Sequence, residues 1–233
     1  MRLIAIETCT EMCSAALWVD GALHSIEVRA PRKHGELILG QVEELLAQSG
    51  IPRHSLDAVA VGRGPGAFTG VRLGLGVAQG MAFALDCPVI PVSTLQALAQ
   101  QWVSEQPDQP PTEVLAALDA RMGEVYWSLN PIVAGRAQGA DEQVAAPGQV
   151  RPPWSHAPIR GIGSGFAAYP ELLEGSGLVA DQVWSDALPR AREVAVLAVD
   201  AWGRGEAIAP EQAQPVYLRD NVAQPAKPHE ART

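Results

Sequence analysis

The stretch from Ala58 to Leu85, AVAVGRGPGAFTGVRLGLGVAQGMAFAL, does most to limit what this chain can fold into. Ala58 to Val61 is short, apolar and β-branched, as a buried strand requires. Gly62, Gly64 and Gly66, with Pro65 between the last two, then force a sharp turn. A helical pattern takes over at Phe68. Gly70, Gly74, Gly76 and Gly80 lie inside that helix, where each costs roughly 0.5–1 kcal/mol relative to alanine. Gly70 and Gly74 share one face, as do Gly76 and Gly80, because residues four apart stack along a helix. Such bare faces admit a close neighbour, either the protein's own sheet or a helix of another subunit, and the sequence leaves both open. Arg72 leaves only Leu73 to Leu85 uncharged, short of the ~20 residues of a membrane span.

The elements before this stretch read as an antiparallel meander. Leu3 to Glu7, Cys13 to Val19 and Ala22 to Arg29 are strands, and Asp20-Gly21 is a two-residue hairpin turn. His34 to Gln48 is an amphipathic helix with Ile38, Val42 and Leu45 in one stripe, widened by Leu39 and Leu46 and closed by Gly50. After the central stretch come a strand, Pro88 to Val92, and a helix capped by Ser93 and reaching about Val103. The order β-β-β-α-β-α-β-α predicts a mixed sheet with helices on its faces. We expect residues 1–105 to form a first lobe, 112–218 a second and 219–233 a mobile tail, with Gln106 to Pro111 as linker. In the second lobe, Val114 to Leu118 and Val125 to Leu129 are paired strands around a turn at Asp119 to Gly123. Ile159 to Ile162 is a further strand, Gly163-Ser-Gly165 a turn, and Arg190 to Trp202 a helix. The Pro-, Gly- and Ala-rich part from Asn130 to Pro158 has no legible strand order.

Composition narrows the function. A formal charge of −9 argues against gripping a nucleic-acid backbone unaided. The apolar run at the N-terminus stops at Glu7, which is not the pattern of a signal peptide. Cys9, Cys13 and Cys87 form no CxxC and read as small buried hydrophobes in a reducing cytoplasm. The five histidines pair with no other ligand at metal spacing. Gly62-x-Gly64-x-x-Ala67 matches a dinucleotide fingerprint formally, but it follows a meander, and Asp86 precedes the next strand instead of ending it. No Gly-Lys-Ser/Thr and no Gly-x-Ser-x-Gly occur. Two polar clusters remain. Asp119, Arg121 and Glu124 share one turn, as an ion pair or as a contact to a ligand or partner, and Glu7, Thr8 and Thr10 share another, as a phosphate contact or a solvated turn.

Four blocks carry a resemblance: Ile4-Ala-Ile-Glu-Thr8, Gly62-Arg-Gly-Pro-Gly-Ala-Phe-Thr-Gly-Val-Arg72, Asp119-Ala-Arg-Met-Gly-Glu-Val-Tyr-Trp127 and Pro215-Val-Tyr-Leu-Arg219. In this order, and spanning nearly the whole chain, they resemble the TsaB (YeaZ) family. The resemblance implies an actin-like α/β fold of two lobes with mixed sheets, the second smaller and more irregular. It further implies a non-catalytic subunit in the formation of threonylcarbamoyladenosine at adenosine 37 of tRNA. Its partners would be the catalytic paralogue TsaD and the ATPase TsaE, with a homodimer possible in isolation and tRNA met only through the complex. TsaD-like proteins carry two metal-binding histidines where this chain has Thr94 and Leu98, and Leu98 cannot ligate. No cofactor of its own is therefore expected, and whether a nucleotide sits at the partner interface stays open. In this family the two first-lobe helices form the partner contact. Their candidate residues here are His34, Leu37, Ile38, Gln41, Gly70, Val71, Gly74, Leu75, Ala78 and Ala82, with Gly70, Gly74, Ala78 and Ala82 as the close-approach stripe. The alternative is a stand-alone actin-fold kinase or ATPase, with Glu7, Thr8 and Asp119 as its working site. A glycoprotease would require a nucleophile or metal that the sequence does not supply.

Overall fold

Asp20 and Gly21 both take positive φ, 48° and 101°, and turn the chain tightly between two long strands. Around that turn β1 (Arg2–Glu7), β2 (Met12–Val19) and β3 (Ala22–Arg29) pair antiparallel, as the alternation predicts. Helix α1 (His34–Ser49) then crosses over, and β4 (Ala58–Gly62) joins the free side of β1 in parallel. Helix α2 (Phe68–Leu85) crosses to β5 (Val89–Val92), which gives the first sheet the order β3-β2-β1-β4-β5. The computed structural model describes residues 1–106, 111–153 and 158–219.

Period-two alternation splits this sheet's side chains between two cores. Ile4, Ile6, Leu17, Val59 and Val61 face α1 and α2, which bring Ile38, Val42, Leu45, Val71 and Leu75. Each such fully buried side chain contributes about 1.5–3 kcal/mol. The opposite face is small, with Ala5, Ala16, Ala58 and Ala60 packed on Ala191, Ala195 and Ala198. Those last alanines belong to α6 (Ala191–Gly203), so the chain returns to the first sheet after building the second. That corrects the expectation of a second lobe running to residue 218. The physical reason is the alanine stripe of α6, which matches the small side chains of the first sheet.

The second sheet is built on the long hairpin of β6 (Glu113–Arg121) and β7 (Glu124–Val133), with Arg121, Met122 and Gly123 all at positive φ in its turn. The strand β10 (Ile159–Ile162) lies parallel to β6, and β11 (Val183–Trp184) lies beyond it. Short strands β8 (Arg136–Ala137) and β9 (Gln143–Ala145) both pair with β7. Two short helices, α4 (Ser164–Ala168) and α5 (Glu171–Ser176), follow β10. Gly163-Ser-Gly165 thus opens a helix, where the sequence suggested only a turn. The helix α3 (Thr94–Glu105) begins as expected at Ser93, whose hydroxyl accepts from the Gln96 amide at 3.1 Å. Its Leu95, Leu98 and Ala99 pack on Val114, Ala116 and Ile162 of the second sheet, so this helix joins the lobes instead of covering the first. The architecture is an α/β one of two lobes with mixed sheets. Part of the expected linker, residues 107–110, and all but the first residue of the expected tail lie outside the described residues.

Candidate functional site: the cleft and the paired helices

The cleft between the lobes begins at the β1–β2 turn, where Glu7, Thr8 and Cys9 are fully or almost fully buried. Glu7 accepts from the Cys9 amide at 2.6 Å through Oε1 and from the Thr94 hydroxyl at 3.3 Å through Oε2. Burial pushes its carboxyl above the ordinary carboxylate range, against the opposing pull of the Cys9 and Thr94 hydrogen bonds. Burial and the neighbouring Glu7 push the Cys9 thiol well up as well, which keeps it protonated and unreactive. A Cβ at Gly62 would run into the Glu7 carboxyl, so glycine at the end of β4 is what lets Glu7 fold inward.

Helix α2 closes on the same turn. The Ala67 amide donates to the Cys9 carbonyl at 2.7 Å, and the Thr8 hydroxyl donates to the Gly70 carbonyl at 2.8 Å. A Cβ at Gly70 would collide with the Thr8 carbonyl, and one at Gly74 would lie 2.5 Å from the Thr8 hydroxyl oxygen. Of the hydroxyls this turn would offer to a phosphate, that of Thr8 is thus spent on α2, while that of Thr10 accepts from the Met12 amide at 3.3 Å. Thr94 is likewise held by Glu7, and Leu98 is buried in the core. Among the described residues no group of three or more His, Cys, Asp and Glu comes together.

Across the cleft, Asp119 accepts from the Arg121 amide at 2.7 Å and from the Tyr169 hydroxyl at 2.9 Å. Burial and that bond to Asp119 raise the Tyr169 phenol above its ordinary value. Arg121 also pairs with Asp119 at 2.9 Å and reaches over the cleft to Glu11 at 2.8 Å. Glu124 is taken by Arg219. What remains between the lobes is a groove of about 1120 Å³, bordered by Glu11, Arg32, Phe68, Arg121, Ser164 and Tyr217. The polar cluster of the second-lobe hairpin is thus an ion-pair network, as one of its two sequence readings had it.

The family described as TsaD: tRNA N6-adenosine threonylcarbamoyltransferase matches residues 28–227. The tRNA threonylcarbamoyladenosine biosynthesis protein TsaB of Escherichia coli is 40% identical over 96% of both chains. The chain belongs to the TsaB/YeaZ family. The TsaB protein of Haemophilus influenzae is 37% identical over 95% of both chains. Among solved structures, YeaZ from Pseudomonas aeruginosa superposes with a TM-score of 0.86 at 42% identity, covering 93% of this chain and 99% of its own. A second Pseudomonas aeruginosa structure, described as similar to peptidase YEAZ, superposes equally well at 42% identity over 94% of this chain.

The family's paired helices are present, but their faces differ from expectation. His34, Ile38 and Gln41 of α1, and Gly70, Val71, Gly74, Leu75, Ala78 and Ala82 of α2, are all buried within this chain. His34 and Gln41 bond the Met12 and Cys13 carbonyls, at 3.3 Å and 3.2 Å. The expected close-approach stripe is therefore corrected: Gly70 and Gly74 approach Thr8 of their own lobe. Of the ten expected contact residues only Leu37 is partly exposed. The outward positions are Leu39, 52% exposed, and Gly76, Gly80 and Phe83, the last 63% exposed. A Cβ at Gly76 or Gly80 meets nothing within 4 Å. The pairing of Gly76 with Gly80 on one face was the sequence signal for this second stripe. By length and composition α2 could cross a membrane, yet its inner face is that of a core helix.

Proposed function

We propose that this chain is a non-catalytic adaptor in the transfer of threonylcarbamoyl to tRNA adenosine, heterodimerising with a TsaD-type catalytic paralogue and allowing a TsaE-type ATPase to join. The observation that carries the reading is the outward face of α1 and α2. Among the described residues it leaves Leu39 of α1 and Phe83 of α2 exposed, and a Cβ at Gly76 or Gly80 of α2 would meet nothing within 4 Å. Exposed large apolar side chains flanked by bare backbone suit a partner helix at short interaxial distance. The cleft is in keeping with the same division of labour, since Thr8 is held by the Gly70 carbonyl, Thr94 by Glu7, and Asp119 by the Arg121 amide. In this reading the chain holds no cofactor of its own, the partner interface is the one place left open for a nucleotide, and the complex works in the cytoplasm. The net charge of −9 leaves the partner to supply most of the basic surface for tRNA.

The test is transfer of radiolabelled threonylcarbamoyl to unmodified tRNA by the purified chain, with and without the TsaD and TsaE proteins. Label should enter tRNA only in the mixture and fall when this chain is left out. Turnover of nucleotide or label by the chain alone would overturn the adaptor reading in favour of an actin-fold kinase or ATPase.

A further inference from the structure

The last described segment of the chain, residues 210–219, runs along α2 and ends on the second lobe. Gln79 of α2 donates to the Pro210 and Ala213 carbonyls at 3.0 Å and 3.1 Å. The Val216 amide donates to the Arg63 carbonyl at 3.0 Å. Tyr217 then stacks near Phe68, 5.8 Å between ring centres, with the Arg72 guanidinium 3.4 Å from the Phe68 centroid and 5.2 Å from that of Tyr217. Two residues later, Arg219 donates to the Ala120 and Arg121 carbonyls at 3.3 Å each and pairs with Glu124. One short segment thus binds the glycine turn and α2 of the first lobe, and the β6–β7 turn of the second.

A second contact bridges the lobes from the same glycine turn. Arg63 donates through both terminal nitrogens to the two Glu142 oxygens, at 3.0 Å and 3.1 Å. The Glu142 side chain is only 7% exposed and that of Arg63 27%, so this bidentate pair is partly shielded from salt and water. The Arg121–Glu11 pair adds a third crossing, weaker because Arg121 is 72% exposed.

We propose that residues 216–219 and the Arg63–Glu142 bridge form a built-in latch, which fixes the angle between the lobes by the chain's own contacts. Two-lobed proteins with an open cleft commonly close around a ligand by hinge motion. Here the glycine turn, α2 and the second-lobe hairpin are joined directly, and closure needs no occupant. The latch also holds α2, so the outward face is presented in one orientation before any partner arrives. This goes beyond the adaptor reading and concerns the chain alone, so its test involves no partner.

The experiment is a pulsed electron paramagnetic resonance distance measurement between spin labels at Gln48→Cys and Glu174→Cys, in a Cys87→Ala background. One narrow distance distribution is expected, unchanged by magnesium and ATP. The Arg219→Ala variant should lose the single narrow peak and shift to longer distances. Glu142→Gln keeps side-chain volume and fold while removing the charge, and should broaden the distribution in the same sense. Distributions that superpose on the parent in both variants would overturn the latch, and so would a shift of the parent on adding nucleotide.

Discussion

A Cβ at position 74 would lie 2.5 Å from the Thr8 hydroxyl oxygen, whereas one at position 76 would meet nothing within 4 Å. Gly74→Leu must therefore push α2 off the β1–β2 turn, and overpacking of this kind should cost roughly 2–3 kcal/mol. Gly76→Ala removes only a glycine's conformational freedom and should stabilise by about 0.5–1 kcal/mol. Urea denaturation followed by circular dichroism reads both, and equal effects at the two positions would refute this assignment of faces. Glu7 gives a second residue-scale prediction. Its folded-state pKa is raised above the ordinary 4.5 by burial, so the folded state holds its proton more tightly than the unfolded chain. Stability attached to this group is fully present below the ordinary value and is lost as pH rises through the folded value. Glu7→Gln should then match the parent in acid and exceed it increasingly towards neutral pH. Denaturation midpoints measured across that range decide it, and a constant difference would mean that Glu7 does not titrate as argued.

The outer face of α2 can be tested as an element because no core contact depends on it. Gly80→Leu and Phe83→Asp should leave the circular dichroism unchanged while weakening binding to a TsaD-type partner at least tenfold, or about 1.4 kcal/mol. Titration calorimetry would show it, and parent-like affinity in both variants would move the contact elsewhere. Elements with strong periodicity, among them the meander, α1, the strand and helix of the central stretch and α6, were legible because hydrophobic spacing alone defines them. The strands β8, β9 and β11 were not, since two or three residues carry no period. Helix α4 was hidden for another reason. Gly163 and Gly165 are required where the chain passes against Ala117, so residues that read as a turn record a close approach at a helix start. The direction of the Gly70–Gly74 stripe was equally beyond the sequence, because spacing shows which residues share a face but not what that face meets. In the cleft, the blocks around Glu7, Gly62 and Asp119 were visible in the sequence, while the hydrogen bonds these residues make depend on contacts between distant elements.

At the scale of the whole molecule, the lobes are joined not only across the cleft but behind it, where α6 returns to the first sheet. Ala191 at its start donates to the Ser14 hydroxyl at 2.9 Å, and Arg190 before it gathers carboxylates from three elements. Its guanidinium meets Glu193 of α6 at 2.8 Å and 3.0 Å, Glu105 at the end of α3 at 2.9 Å, and Glu27 of β3 at 3.9 Å. Burial works against the arginine's charge, but these carboxylates outweigh it and hold its pKa above the ordinary value. Glu193 is completely buried, so its charge is tolerated only while Arg190 faces it. Arg190→Met should leave that carboxylate unpaired in the core and destabilise the chain by about 3–5 kcal/mol. If the loss came from missing packing alone, adding Glu193→Leu would deepen it. If it comes from the stranded charge, the double variant should recover most of the stability, since an apolar pair of similar volume can match a buried ion pair. The difference between single and double variants in chemical denaturation separates the two. Recovery would also show that the joint behind the cleft holds by packing of α6 once no buried charge is left unpaired, whereas the latch in front depends on its Arg–Glu contacts.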